Sequence, residues 1–167
     1  MPITRKILSQ FPADTFVETG TYKGAALALA RSVGFRDFYS CDTDERCVKM
    51  GLERGFSNVW LASSPDFLRD VLPGIDGNIT FWLDSHPNVN PMDLNDARVP
   101  LLADLEVIHE YANSGQHTIL IDDLRTLSES DAALLLEVVR LYWPAAVIAY
   151  HDDDLAERDI LSVQVAL

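Results

Sequence analysis

The stretch Thr15-Phe-Val-Glu18-Thr-Gly20-Thr21-Tyr22-Lys-Gly24 decides how the rest of the chain reads. Residues 15–18 (TFVE) are a short apolar run of strand type, and Gly20 permits the sharp turn that ends it. Residues 22–33 are rich in Ala and Leu and carry a helical pattern, with Gly34 where a C-terminal cap belongs. A strand, a glycine turn and a helix make the first half of a βαβ unit.

The same alternation repeats outward from this stretch. Residues 37–41 (DFYSC), 58–62 (NVWLA), 79–83 (ITFWL) and 118–121 (TILI) read as further strands. Helical patterns cover 44–54, 64–71, 100–113 and a segment from Ser128 to before Pro144. Ser64 with Pro65 resembles an N-cap followed by proline in the first turn. Ser128 with Asp131 is a cap-like start. Residues 146–150 and 160–166 are the last two strands, joined by the polar turn HDDDLAER. Five βα units followed by two strands imply an α/β fold, a mostly parallel sheet with helices on both faces. The expected architecture is one domain over residues 1–167.

Composition narrows the function. The chain has 167 residues, 48% apolar and 23% charged, with a net charge of −13. Residues 1–60 carry 8 basic and 7 acidic side chains, whereas 61–167 carry 5 and 19, and no lysine follows Lys49. Binding through phosphate neutralisation is disfavoured, so neither nucleic acid nor an anionic membrane surface is an expected partner. A cation or a neutral substrate suits this charge better, although acidity also serves solubility. No run reaches the roughly 20 apolar residues of a membrane span, and the first residues lack a secretory signal pattern. The expected location is the cytoplasm. The two cysteines, Cys41 and Cys47, form no disulfide framework. Cys41 reads as a small hydrophobe in a strand.

In an open parallel sheet, ligands bind outside the carboxyl ends of the strands. Those ends here read Glu18-Thr-Gly20, Asp42-Thr-Asp44, Ala62-Ser63-Ser64, Asp84-Ser-His86, Asp122-Asp123 and His151-Asp152. Five of the six carry an acid, which points to one functional edge. Asp42, about 20 residues after the glycine turn, has the position of a carboxylate that accepts ribose hydroxyls. Asp44 reads as the cap of the following helix. A carboxylate at Glu18 disfavours a phosphate on the glycine turn and favours a ligand with an ammonium group. Asp84 and His86 follow the fourth strand, and Asp122 and Asp123 the fifth; oxygen donors in such a group suit Mg²⁺ or another divalent cation, and His86 would also admit Mn²⁺ or Zn²⁺. The plain alternative is that the Asp pair only caps a loop. The polar segment 85–98 reads either as a substrate lid or as a surface insertion. His109 and His117 read as structural residues, and Trp60, Trp82 and Trp143 as core or sheet-packing residues.

Four segments together resemble small class I S-adenosylmethionine-dependent methyltransferases. TFVETGTYKGAALALA is similar to the VETGTYxG start of one such group, FWLDSHP to its FWLDAH segment, VPLLADLEVI to its PLLxELExI helix, and TILIDDLR to its ILIDD strand. The resemblance runs from about Thr15 to Arg125. It implies a Rossmann-like sheet of seven strands with the last one antiparallel. It also implies S-adenosylmethionine as cofactor, with Glu18 near its amino group, and Gly20, Thr21, Tyr22 and Gly24 along its methionine and ribose part. Asp42 would take the ribose hydroxyls, Ser63 and Ser64 would lie toward the adenine, and Asp84 would border both cofactor and metal. The group commonly has Gly-Asp-Ser after strand 3 where this chain has Ala62-Ser63-Ser64. Ser63 is a weaker acceptor for the adenine amino group than a carboxylate.

The expected reaction is O-methylation of a small-molecule or sugar hydroxyl, assisted by a metal on Asp84, Asp122 and Asp123. With no lysine after Lys49, His86 is the first candidate base and His151 the second. Two other readings stay open. One is a non-catalytic or partner-dependent module that binds the cofactor or a nucleoside. The other is a metal-dependent hydrolase built on the acid cluster. The oligomeric state is open too, a homo-oligomer included.

Overall fold

The structure, a computed structural model, describes residues 3–85, 93–94, 99–152 and 156–167. The strands are β1 (Thr15–Thr19), β2 (Asp37–Asp42), β3 (Val59–Leu61), β4 (Ile79–Leu83), β5 (Gln116–Ile121), β6 (Val147–His151) and β7 (Ile160–Ala166). The helices are α1 (Arg5–Leu8), α2 (Ala25–Val33), α3 (Glu45–Glu53), α4 (Ser64–Val71), α5 (Leu101–Tyr111) and α6 (Glu129–Tyr142). Short 3₁₀ turns follow α4 at Leu72–Gly74 and β5 at Leu124–Thr126.

All seven strands join one sheet in the order β3-β2-β1-β4-β5-β7-β6. The first five are parallel, and β7 runs antiparallel between β5 and β6. This is the expected Rossmann-like class I methyltransferase architecture. The order reverses between β1 and β4, which places the ligand crevice of such a sheet at their carboxyl ends.

Alternation along the strands divides the core. Val17, Phe81, Leu83, Ile119, Ile121 and Val163 face one layer, packed with residues of α4, α5 and α6. Phe16, Trp82, Leu120 and Ile160 face the other, against Leu8, Leu27, Ala30 and Val48. β1 and β4 are buried along their whole length, as strands covered on both faces must be.

Local chemistry sets the helix ends. Ser128 Oγ accepts from the Asp131 backbone N–H and donates to its carboxylate, starting α6. Gly34, at φ 113°, closes α2. α4 begins one residue earlier than expected: Ser63 is its N-cap and Ser64 its first residue. α2 begins at Ala25, not at Tyr22, because Tyr22 (φ 44°) and Gly24 (φ 64°) are left-handed. Trp82 and Trp143 are buried, and Trp60, on the edge strand β3, is 42% exposed with its ring edge-on to Phe67, a sheet-packing position. Sequence reading also missed α1, which is capped by the Thr4 hydroxyl and buries Ile7 and Leu8. No helix among the described residues is long and apolar enough to cross a membrane.

Candidate functional site

The turn after β1 is held from two sides. The N–H groups of Gly20 and Thr21 both donate to the Cys41 carbonyl on β2. Gly20 has φ 91°, and a Cβ there would lie 2.6 Å from the Asp84 carbonyl oxygen. Its lack of a side chain therefore lets the β1 turn lie against the end of β4. A Cβ on Gly24 would meet the Arg54 side chain at 3.1 Å, so this glycine fits α2 against α3. Between them the Tyr22 ring is 62% exposed, with Lys23 Nζ 5.1 Å from its centroid.

Asp42 ties the turn to the next helix. Its Oδ2 accepts from Tyr22 N at 2.8 Å and its Oδ1 from Asp44 N at 2.9 Å. Each oxygen keeps a further lone pair for another donor. Asp44 caps α3 through Arg46 N, as the sequence suggested. Glu18 is buried, and Ser40 Oγ donates to its Oε2 at 2.8 Å. Thr21 Oγ1 lies 2.6 Å from Ser40 Oγ and completes a relay of two hydroxyls. Burial holds the Glu18 carboxyl well above the usual carboxylate range, the Ser40 hydroxyl opposes this, and the nearby Asp84 and Asp42 charges add to it.

The structure brings Asp84, Asp122 and Asp123 together. One oxygen from each lies within 4.8 Å of the others. The ladder explains this: Asp84 N donates to the Thr19 carbonyl and Asp122 N to the Leu83 carbonyl, so the strand ends stay level. Among the described residues neither oxygen of Asp122 has a hydrogen-bond partner, although the residue is 3% exposed. Its carboxyl is pushed up to about 9, by burial first and then by the charges of Asp84 and Asp123. Asp123 has φ 59° and pairs with Arg125 Nη2 at 2.5 Å. Arg125 is in turn held by the buried Asp159, through its backbone N–H at 2.7 Å and its guanidinium.

The other expected residues are less concentrated. His86 lies outside the described residues, as does most of the 85–98 segment. His151 ends β6, with Nε2 2.8 Å from Ser162 Oγ and its ring edge-on to Phe11. β7 stands between β6 and β5, so His151 is about 10 Å from Asp122, two strand spacings. His117 Nδ1 accepts from Ile79 N, and His109 stacks on Tyr142, both structural roles as expected. Ser63 Oγ donates to Asp66. Ser64 Oγ lies 3.1 Å from Ser85 Oγ, which donates to Asp104 Oδ2 at 3.3 Å. Asp104 was missed. Its signal was present, since Leu101, Asp104, Leu105 and Ile108 form one stripe of α5 at helical spacing, and an acid within an apolar stripe is buried for a reason.

No family model matches the sequence, and no curated protein does. Solved structures do. An rRNA methylase from Streptococcus thermophilus is 17% identical, with 98% of this chain and 94% of that one covered, at a TM-score of 0.62. A SAM-dependent methyltransferase from Archaeoglobus fulgidus is 13% identical, with 98% and 95% covered, at 0.60. An O-methyltransferase from Bacillus cereus, solved in complex with SAH (S-adenosylhomocysteine), is 11% identical, with 96% and 78% covered, at 0.66. At these identities the likeness defines the fold, the one expected from the sequence.

Proposed function

We propose that this protein is an S-adenosylmethionine-dependent methyltransferase that methylates a hydroxyl of a small molecule or sugar with help from a divalent cation. The observation that carries the reading is the convergence of Asp84, Asp122 and Asp123 beside the glycine turn and Asp42 at the sheet's switch point. Three carboxylates this close repel one another, and the partnerless Asp122 oxygens are a donor set that a hard cation fits.

In this reading Asp42 accepts the ribose hydroxyls on its remaining lone pairs while its backbone bonds keep the Tyr22 turn in place. Glu18, at the end of the Thr21–Ser40 relay, borders the amino-acid end of the cofactor. A bound divalent cation would hold the acceptor oxygen and lower its pKa. The protein supplies alignment for in-line displacement at the sulfonium methyl. The acceptor proton goes to His86, which follows Asp84 by two residues in sequence, or to His151. His86→Ala should lower turnover at least about tenfold with cofactor affinity unchanged; equal turnover would remove His86 from the mechanism. The acidity of residues 61–167 favours a neutral acceptor over RNA.

Isothermal titration with S-adenosylhomocysteine, with Mg²⁺ and after EDTA, tests the proposal. Micromolar binding should fall at least about 100-fold in Asp42→Ala, because a ribose held by two hydrogen bonds to a charged group loses both. Absence of binding at millimolar ligand would end the cofactor reading. The Ala62-Ser63-Ser64 segment favours one alternative, a binding module without catalysis. Tight binding with no methylated product from any hydroxylic acceptor would select it. Metal-dependent ester hydrolysis without cofactor binding would select a hydrolase.

A further inference from the structure

The loop after β3 offers no acid, yet a buried acid lies beneath it. Asp104, on the first turn of α5, is 0% exposed. Its Oδ2 takes the Ser85 hydroxyl, and Ser85 Oγ is 3.1 Å from Ser64 Oγ. Among the described residues its Oδ1 has no hydrogen-bond partner. The two serines come from opposite sides of the crevice. Ser64 opens α4 just after β3, and Ser85 follows Asp84 at the end of β4. Leu61, three residues before Ser64, is the ladder partner of Asp42. The group therefore sits at the sheet edge beside Asp42, where a ribose held by Asp42 would carry its base.

Hydroxyl direction follows from the carboxyl at the end of the chain. Burial pushes the Asp104 carboxyl up to about 7, with the Ser64 and Ser85 hydroxyls opposing it. Above that pH the ionised Oδ2 only accepts, so Ser85 spends its hydrogen on it and the Ser64 hydrogen also turns inward, onto Ser85 or onto Asp104. Neither serine then has a hydrogen left to offer outward. Both present lone pairs alone. The same arrangement occurs at Glu18, where Ser40 donates to the acid and Thr21 is left to donate to Ser40.

We infer that Asp104 polarises the Ser64–Ser85 hydroxyl pair into an acceptor for an exocyclic amino group, so that this relay, and not an acid after β3, selects a 6-aminopurine over a 6-oxopurine. The inference rests on the cofactor reading above and names the group that reads the base. Ser64 and Ser85 are the contacts, and Asp104 is a positioning residue. A hydroxyl free to rotate serves an amino or an oxo group alike, whereas one fixed as an acceptor leaves a buried carbonyl facing lone pairs.

The test is titration of the full chain at pH 8.5, where Asp104 is ionised, with S-adenosylhomocysteine and with S-inosylhomocysteine, in which an oxo group replaces the amino group. The unsubstituted protein should prefer the amino ligand by about tenfold or more. Ser64→Ala and Asp104→Asn should reduce that preference to about threefold or less, since an Asn amide can donate to Ser85 and reverse the relay. Asp42→Ala should weaken both ligands by one common factor and leave their ratio intact. Circular dichroism melts show whether each variant folds, and the preference of the unsubstituted protein needs no variant at all. Equal binding of the two ligands by the unsubstituted protein overturns the inference while leaving the cofactor reading standing. So does an undiminished preference in both folded variants. If neither ligand binds, the cofactor reading falls and takes this inference with it.

Discussion

Asp122→Asn should melt several degrees above the unsubstituted protein in EDTA at pH 8, and it should no longer respond to Mn²⁺. The folded carboxyl holds its proton up to about pH 9, while the unfolded one releases it near 4. Below pH 4 both states are protonated and the group costs nothing. Between 4 and 9 the unfolded chain gives up a proton that the fold must keep. Stability therefore falls as pH rises, by up to about 1.4 kcal/mol per pH unit. By pH 7 the cost is on the order of 2–4 kcal/mol, and in a domain of this size each kcal/mol moves the melting temperature by roughly 2–4 °C. Asparagine removes the charge and keeps the shape. Its advantage should shrink toward zero as the pH is lowered to 4.

A divalent cation reverses the sign for the unsubstituted protein. Binding requires Asp122 to ionise, so Mn²⁺ should stabilise more strongly at pH 8 than at pH 6. At 100 times the dissociation constant the gain is about 2.7 kcal/mol. Thermal melts of the two proteins across pH, with EDTA or Mn²⁺, check both halves. A Mn²⁺ response preserved in Asp122→Asn would put the cation elsewhere.

Gly20→Ala should cost on the order of 2–5 kcal/mol and lower the melting temperature by roughly 5–15 °C. Two terms add. A side chain at φ 91° is strained by about 1–2 kcal/mol. The new Cβ would also stand 2.6 Å from the Asp84 carbonyl oxygen and 3.0 Å from its carbon, where only backbone can give way. Overpacking of that kind costs about 1–3 kcal/mol. The strand end that must move carries Asp84, so the Mn²⁺ response should weaken as well. Gly34→Ala is the control. Gly34 has φ 113° but nothing within 4 Å, so only the backbone strain applies. Urea titration of the two variants separates the terms, and equal losses would show that contact with β4 is unimportant.

The sheet was legible because its signals are local. Apolar runs of five or six residues alternating with helical spacing determine a parallel sheet, and acids just after those runs must fall on one edge. Bringing Asp84, Asp122 and Asp123 together also requires β4 beside β5, which comes from the sheet order and not from the local runs. What lay beyond reach depends on contacts between distant segments. Nothing near Gly24 in sequence shows that Arg54 would fill the space beside it. The Arg125 clamp needs Asp159, 34 residues away across α6 and β6. The burial of Asp104 was signalled by the apolar stripe of α5, but its partners, on segments after β3 and β4, were not. The exposure of Trp60 was not legible, because composition cannot tell an edge strand from a central one, and β3 has a partner on one side only.

The insertion of β7 between β5 and β6 has a consequence for the order of assembly. Strands β1 to β5 can zip together as they leave the ribosome, each beside a neighbour already made. β6 is made next but has no place to bind, since its one partner, β7, has yet to be synthesised. Residues 147–151 must therefore wait as an unpaired segment with Val147 and Tyr150 uncovered. When β7 arrives it completes two antiparallel ladders at once, closing on β5 from one side and collecting β6 on the other. Closure of this flank is thus a late, long-range step, of the kind that slows folding. It also seats Asp159, one residue before β7, so the Arg125–Asp159 ion pair forms only when the sheet is finished.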